Sequence, residues 1–132
     1  MLEALTIIIF LALFTVHVVW GTVHATHDSY KNGHAQGNVT MDPGFWSDDY
    51  HDFAVLWLPN FLAWYIDGRQ YFNTTHFVPD TPAYLVLDNE VGLGHLDPSG
   101  DGGWAGNPQD TLFPQEMKVE HVHVYQRIQE LV

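Results

Sequence analysis

Nine histidines and sixteen Asp and Glu, against only four Lys and Arg, give this 132-residue chain many groups able to hold a metal or move a proton. His121-Val122-His123 is one such grouping, because residues two apart on a strand share a face and would set two imidazoles side by side, a spacing that can bind zinc. No third and fourth ligand follows at a fixed offset, and core or surface histidines are commoner than ligands. Asp97-Pro98-Ser99-Gly100-Asp101-Gly102 has the oxygen-rich character of a calcium loop but lacks the terminal acidic ligand of an EF-hand, so a solvated turn is the better reading.

Composition narrows the partners. The formal charge of −12 repels phosphate backbones and argues against nucleic acid. An aromatic content of 14%, with five Trp, suits either a large β core or a surface that stacks on sugar rings, and composition does not separate the two. With no Cys, disulfides say nothing about compartment. Asn38-Val39-Thr40 and Asn73-Thr74-Thr75 would accept N-glycans in a eukaryotic secretory pathway.

The element that must position any site is the stretch Asp52 to Phe72, which reads as three short antiparallel strands. Alternation puts Phe53, Val55 and Trp57 on one face of the first strand and Ala54, Leu56 and Leu58 on the other. Pro59-Asn60 supplies the first turn and Asp67-Gly68 the second, the latter a strong hairpin signal. Leu62, Trp64 and Ile66 share one side of the middle strand, and Trp57 and Trp64 are expected to fill the core. Two apolar faces require cover on both sides, as in a β-sandwich or jelly roll.

Around this meander, Ala4 to Trp20 is an apolar run of seventeen residues, at the lower limit for a membrane span. It reads alternatively as a secretory signal, although Glu3 gives its start the wrong charge, or as core strand rich in Thr, Ile, Val and Phe. Residues 1–20 are therefore set apart from a β domain over 21–132. Gly21 to Ala35 reads as a strand running into an Asn32-Gly33 turn, with Thr22, His24 and Thr26 on a polar face suited to a wet groove. Gln36 to Asp49 reads as loop, Ala83 to Leu87 as strand, Gly92 to Pro108 as a long glycine-rich loop, and Glu116 to Tyr125 as the closing strand. The expected fold class is all-β, a partial sandwich or jelly roll of antiparallel sheets.

Five segments together carry a resemblance: Asp48-Asp49-Tyr50-His51-Asp52-Phe53-Ala54-Val55-Leu56-Trp57, Trp64-Tyr65-Ile66-Asp67-Gly68, Tyr84-Leu85-Val86-Leu87, Gly103-Trp104-Ala105-Gly106, and Phe113-Pro114-Gln115-Glu116-Met117 with Val122-His123-Val124-Tyr125. In order and spacing they resemble the C-terminal half of glycoside hydrolase family 16, in its laminarinase-like branch. The resemblance implies a concanavalin A-like β-jelly roll whose concave face binds a β-glucan, and retaining hydrolysis of O-glycosidic bonds by a secreted endo-β-1,3(4)-glucanase. It equally admits a non-catalytic β-glucan-binding jelly roll. A membrane-anchored interaction protein, held through Ala4 to Trp20, is the third reading.

The family signature E-x-D-x-x-E would match its last carboxylate to Glu3, the general acid/base, and would place the nucleophile Glu and the intervening Asp before residue 1. Retaining chemistry needs two carboxyl groups about 5 Å apart, so this chain alone is expected to be inactive. The resemblance puts Trp104 at the cleft rim, where an indole face suits the C–H face of a pyranose. It sets His24 and His27 beside the catalytic strand, and of these His27 is favoured as the substrate contact. No cofactor is required; a structural calcium stays open, with Glu120 its candidate ligand, and the intact protein is expected to be a monomer.

Overall fold

The computed structural model describes residues 8–9, 17–24, 33–88, 114 and 116–126. The described elements are all β, and every strand pairing is antiparallel. Six strands form two three-stranded sheets. The first sheet has the order β1 (Ile8–Ile9), β2 (Val18–His24), β3 (His34–Thr40), and the second β4 (Phe53–Leu58), β5 (Phe61–Ile66), β6 (Arg69–Thr74).

The second sheet is the meander expected from its alternation. Asn60, with φ at 60°, turns β4 into β5, and Asp67-Gly68, with φ at 50° and 74°, turns β5 into β6. Two consecutive left-handed residues match the right-handed twist of the flanking strands, which is why Asp-Gly is favoured there. Asp67 also secures the start of β4. Its carboxylate accepts the Asp52 N–H at 3.0 Å and the His51 Nδ1–H at 2.7 Å, while its own N–H donates to the Asp52 carbonyl at 2.9 Å.

The core lies between the two sheets. Leu62 and Trp64 of β5 cluster with Val23 of β2, with Ala35, Val55, Tyr71, Phe72 and Val78 packed against them, and Val19 and Ile66 are buried as well. A bulge lets β6 contribute two neighbouring side chains. Trp64 pairs with Phe72 and Tyr65 with Gln70, leaving Tyr71 as the extra residue, so Tyr71 and Phe72 both reach the core. Burial pushes the Tyr71 phenol up to about 12.

Close approach of the sheets depends on two glycines. Gly21 and Gly37 are directly paired across β2 and β3. A β-carbon on Gly21 would stand 2.7 Å from Cγ of Trp64, and one on Gly37 would run into the ring of Phe72. The two aromatic rings, 4.9 Å apart and tilted by 32°, occupy the space those β-carbons would take.

Four expectations change. His34–Thr40 is a strand, although Gln36 to Asp49 reads as loop: Gly37 and Asn38 have poor strand propensity, but β2 gives the segment a seven-residue ladder and Phe72 fills the gap above Gly37. Trp57 is not core; it is 36% exposed, its Nε1–H donating to the Pro79 carbonyl at 3.1 Å. Ala83 to Leu87 forms only an isolated bridge at Tyr84, with Leu85, Val86 and Leu87 exposed: among the described residues it has no ladder of cross-strand pairs to make a strand of β-rich residues. Among the described residues Glu116 to Tyr125 likewise enters no ladder, and Val124 and Tyr125 are each 86% exposed.

Of the apolar run, Ile8 and Ile9 form a two-residue strand whose partners are Thr22 and Gly21. Residues 4–7 and 10–16 lie outside the described residues. Among the described residues no helix is long and apolar enough to cross a membrane.

Candidate functional site

Alternation along β2 turns Val19, Gly21 and Val23 into the core, which leaves Val18, Trp20, Thr22 and His24 on the opposite face of the first sheet. The β3 register adds a matching row. Trp20 pairs with Asn38, Thr22 with Gln36, and His24 with His34. Trp20 is 41% exposed, and His34, Gln36, Asn38 and Thr40 are exposed as well. The result is an indole surface followed by two rungs of hydroxyl, amide and imidazole groups.

The His24 and His34 rings stand 5.8 Å apart between centroids. Burial, and then the charge of the neighbouring His34, hold His24 below the ordinary imidazole value. A neutral imidazole donates through one nitrogen and accepts through the other. Together with the Gln36 and Asn38 amides and the Thr22 hydroxyl, the face offers donors and acceptors to a hydroxyl-rich ligand. None of the eight residues Val18, Trp20, Thr22, His24, His34, Gln36, Asn38 and Thr40 is acidic, so they supply no carboxylate for acid/base chemistry.

The far end of this ladder is closed by backbone. The His17 carbonyl accepts Met41 N–H at 2.7 Å and Trp46 Nε1–H at 3.1 Å, while the His17 ring lies 4.2 Å from Phe45. Trp46 in turn meets His51 edge-on at 5.0 Å, and His51 bonds Asp67. That chain of contacts ties the end of β2 to the turn of the second sheet. An Asp–His pair is also the base half of a hydrolytic triad, but here its ring is wedged against Trp46 and Phe53, which suits a structural tie.

Of the residues singled out from sequence, Glu3, His27 and Trp104, with the Asp97 to Gly102 turn, lie outside the described residues. Glu120 is exposed, 4.0 Å from His121. His121 and His123 do share a face, with rings stacked at 4.6 Å, but His121 lies 3.7 Å from Asp52, and His123 meets the Tyr125 hydroxyl at 3.4 Å. Among the described residues no group of three His, Cys, Asp or Glu is arranged to hold a metal. Thr22 and His24 lie on the polar face that alternation assigns them. Trp20, His34, Gln36 and Asn38 escape a sequence reading because Trp20 ends the apolar run, His34 follows the Asn32-Gly33 turn, and Gln36 and Asn38 sit in a stretch that reads as loop; the signal is the matched alternation Trp20-x-Thr22-x-His24 and His34-x-Gln36-x-Asn38.

The family model described as glycosyl hydrolases family 16 matches residues 19–87, which take in β2 but for its first residue and all of β3 to β6. The chain belongs to this family. Its similar relatives include a beta-glucanase of Rhodothermus marinus, 25% identical over 88% of this chain and 42% of the relative. A glucan endo-1,3-beta-glucosidase A1 of Niallia circulans is 30% identical over 81% of this chain and 17% of its own length. A clotting factor G alpha subunit of Tachypleus tridentatus is 27% identical over 82% of this chain and 15% of its own. The family 16 chain thus spans less than half the length of each of these relatives. No solved structure matches it significantly.

Proposed function

We propose that this family 16 chain is the glucan-contacting part of a retaining endo-β-1,3(4)-glucanase, and that the outer face of β2 and β3 is where the polysaccharide lies. The observation that carries this reading is the ladder Trp20–Asn38, Thr22–Gln36, His24–His34, an exposed indole and two polar rungs held in register. An indole presents an apolar face to the C–H face of a glucose, while amide, hydroxyl and imidazole groups pair with its hydroxyls. In this reading Glu3 is the general acid/base, a second carboxylate about 5 Å away is the nucleophile, and Trp104 and His27 add sugar contacts. An extracellular setting and a structural calcium near Glu120 belong to the same proposal.

The absence of any acidic side chain among the eight described residues of the face favours one second reading, a jelly roll that binds β-glucan without cleaving it. Reducing ends released from laminarin separate the two. The 132-residue chain, holding Glu3 alone of the pair, should release none. A polypeptide extended upstream by a strand ending in Glu-x-Asp should hydrolyse laminarin, and Glu3→Gln should abolish that activity, since an amide cannot donate the proton. Binding without hydrolysis in the extended polypeptide would establish the non-catalytic reading instead.

A further inference from the structure

The end of the polar ladder has a chemistry that sugar binding does not require. His24 and His34 are the only directly opposed pair of imidazoles in the described strand ladders. They stand on two strands joined by seven consecutive pairings, so the backbone fixes their spacing. We propose that His24 and His34 form a two-imidazole site for a zinc-class divalent ion on the exposed face of the first sheet.

The geometry is close to what such an ion needs. A metal about 2.0–2.1 Å from one nitrogen of each ring requires ring centroids roughly 5 Å apart. The observed 5.8 Å is within about 1 Å of that. Imidazole nitrogen selects zinc and copper over calcium and magnesium, which prefer oxygen cages. The net charge of −12 raises the local concentration of cations. Two protein ligands leave the remaining tetrahedral positions to water, or to the Thr22 hydroxyl and Gln36 amide of the next rung.

The other histidine pair is a poorer candidate. His121 and His123 stand two residues apart on one segment, their ring centroids 4.6 Å apart. Among the described residues their segment joins no strand ladder, so no paired backbone fixes their spacing. A metal at His24 and His34 would cap the row that the glucan reading assigns to sugar, yet the site itself does not depend on that reading.

The test uses zinc ions alone, titrated into the full chain and into a His121→Ala/His123→Ala background, with binding read by calorimetry and by the imidazole proton resonances. Zinc should move the His24 and His34 resonances together in both, and His34→Asn should weaken the affinity by about tenfold or more, because a lone imidazole has no second ligand tethered beside it. Excess calcium should not compete. His34 is exposed, so its variant should keep the native circular dichroism spectrum; the resonance shifts decide the matter even if His24→Asn misfolds. Unchanged zinc affinity in His34→Asn, or a response confined to His121 and His123, would overturn the proposal.

Discussion

Gly21 and Gly37 face each other across β2 and β3, and the gap they leave receives Trp64 and Phe72, themselves partners across β5 and β6. A paired absence of side chains in one sheet is thus matched to a paired excess in the other. Both glycines fall on the core-facing side that strand alternation sets, so Trp20, Thr22 and His24 and their partners in β3 are left on the outer face.

Gly37→Ala should therefore destabilise the fold by about 1–3 kcal/mol, the range for overpacking a closed interior. Gly21→Ala should do the same, since its new β-carbon meets both Trp64 and the Tyr71 hydroxyl. Thermal unfolding of both variants checks this. Melting temperatures equal to that of the parent chain would mean the sheets are not in contact there.

Leu62→Ala should cost about 2–5 kcal/mol, because Leu62 is fully buried between the sheets. Leu56→Ala, on the opposite face of the same hairpin and 40% exposed, should cost much less. Comparable losses in urea denaturation would show the outer face of β4 to be as well covered as the inner.

That contrast marks what the sequence makes legible. The β4–β5–β6 meander is readable because alternating apolar residues and the Asn60 and Asp67-Gly68 turns act locally. The strand at His34–Thr40 is not, because its cause is distant: β2 supplies the ladder and Phe72 supplies the ring that Gly37 accommodates. Trp57 and Trp64 are equally apolar in sequence, yet only Trp64 lies opposite a glycine. At the site, Thr22 and His24 are legible from alternation, whereas Trp20 is hidden at the end of an apolar run until its pairing with Asn38 shows that it faces outward.

Acid should act through Asp67. Burial raises its pKa, but the His51 hydrogen bond, the Asp52 N–H and the charge of His51 outweigh it and hold the carboxyl below its ordinary value. A depressed folded pKa contributes stability above the unfolded value of about 3.9, and that contribution is lost as pH falls through the folded value. Melting temperature against pH should show a steeper acid limb below about pH 4 in the parent chain than in Asp67→Asn. Identical limbs would remove Asp67 as the cause.

Alkali should act through Tyr71, whose raised folded value of about 12 favours the protonated phenol in the folded state. Its contribution is fully present below about pH 10, the unfolded value, and declines as pH rises toward the folded one. Stability should fall over that interval, and Tyr71→Phe should flatten the fall. An absorbance titration placing every tyrosine near pH 10 in the folded chain would contradict this.

The central claim is that the outer face of β2 and β3 contacts β-glucan, and laminarin titration of the parent chain, Trp20→Ala and Trp57→Ala tests it most directly. The parent chain should bind. Trp20→Ala should weaken binding by about 1–3 kcal/mol, on the scale of aromatic stacking, with an unchanged circular dichroism spectrum, and Trp57→Ala, on the other sheet, should leave binding as it was. Binding untouched by Trp20→Ala, or lost in Trp57→Ala alone, would contradict the assignment of that face.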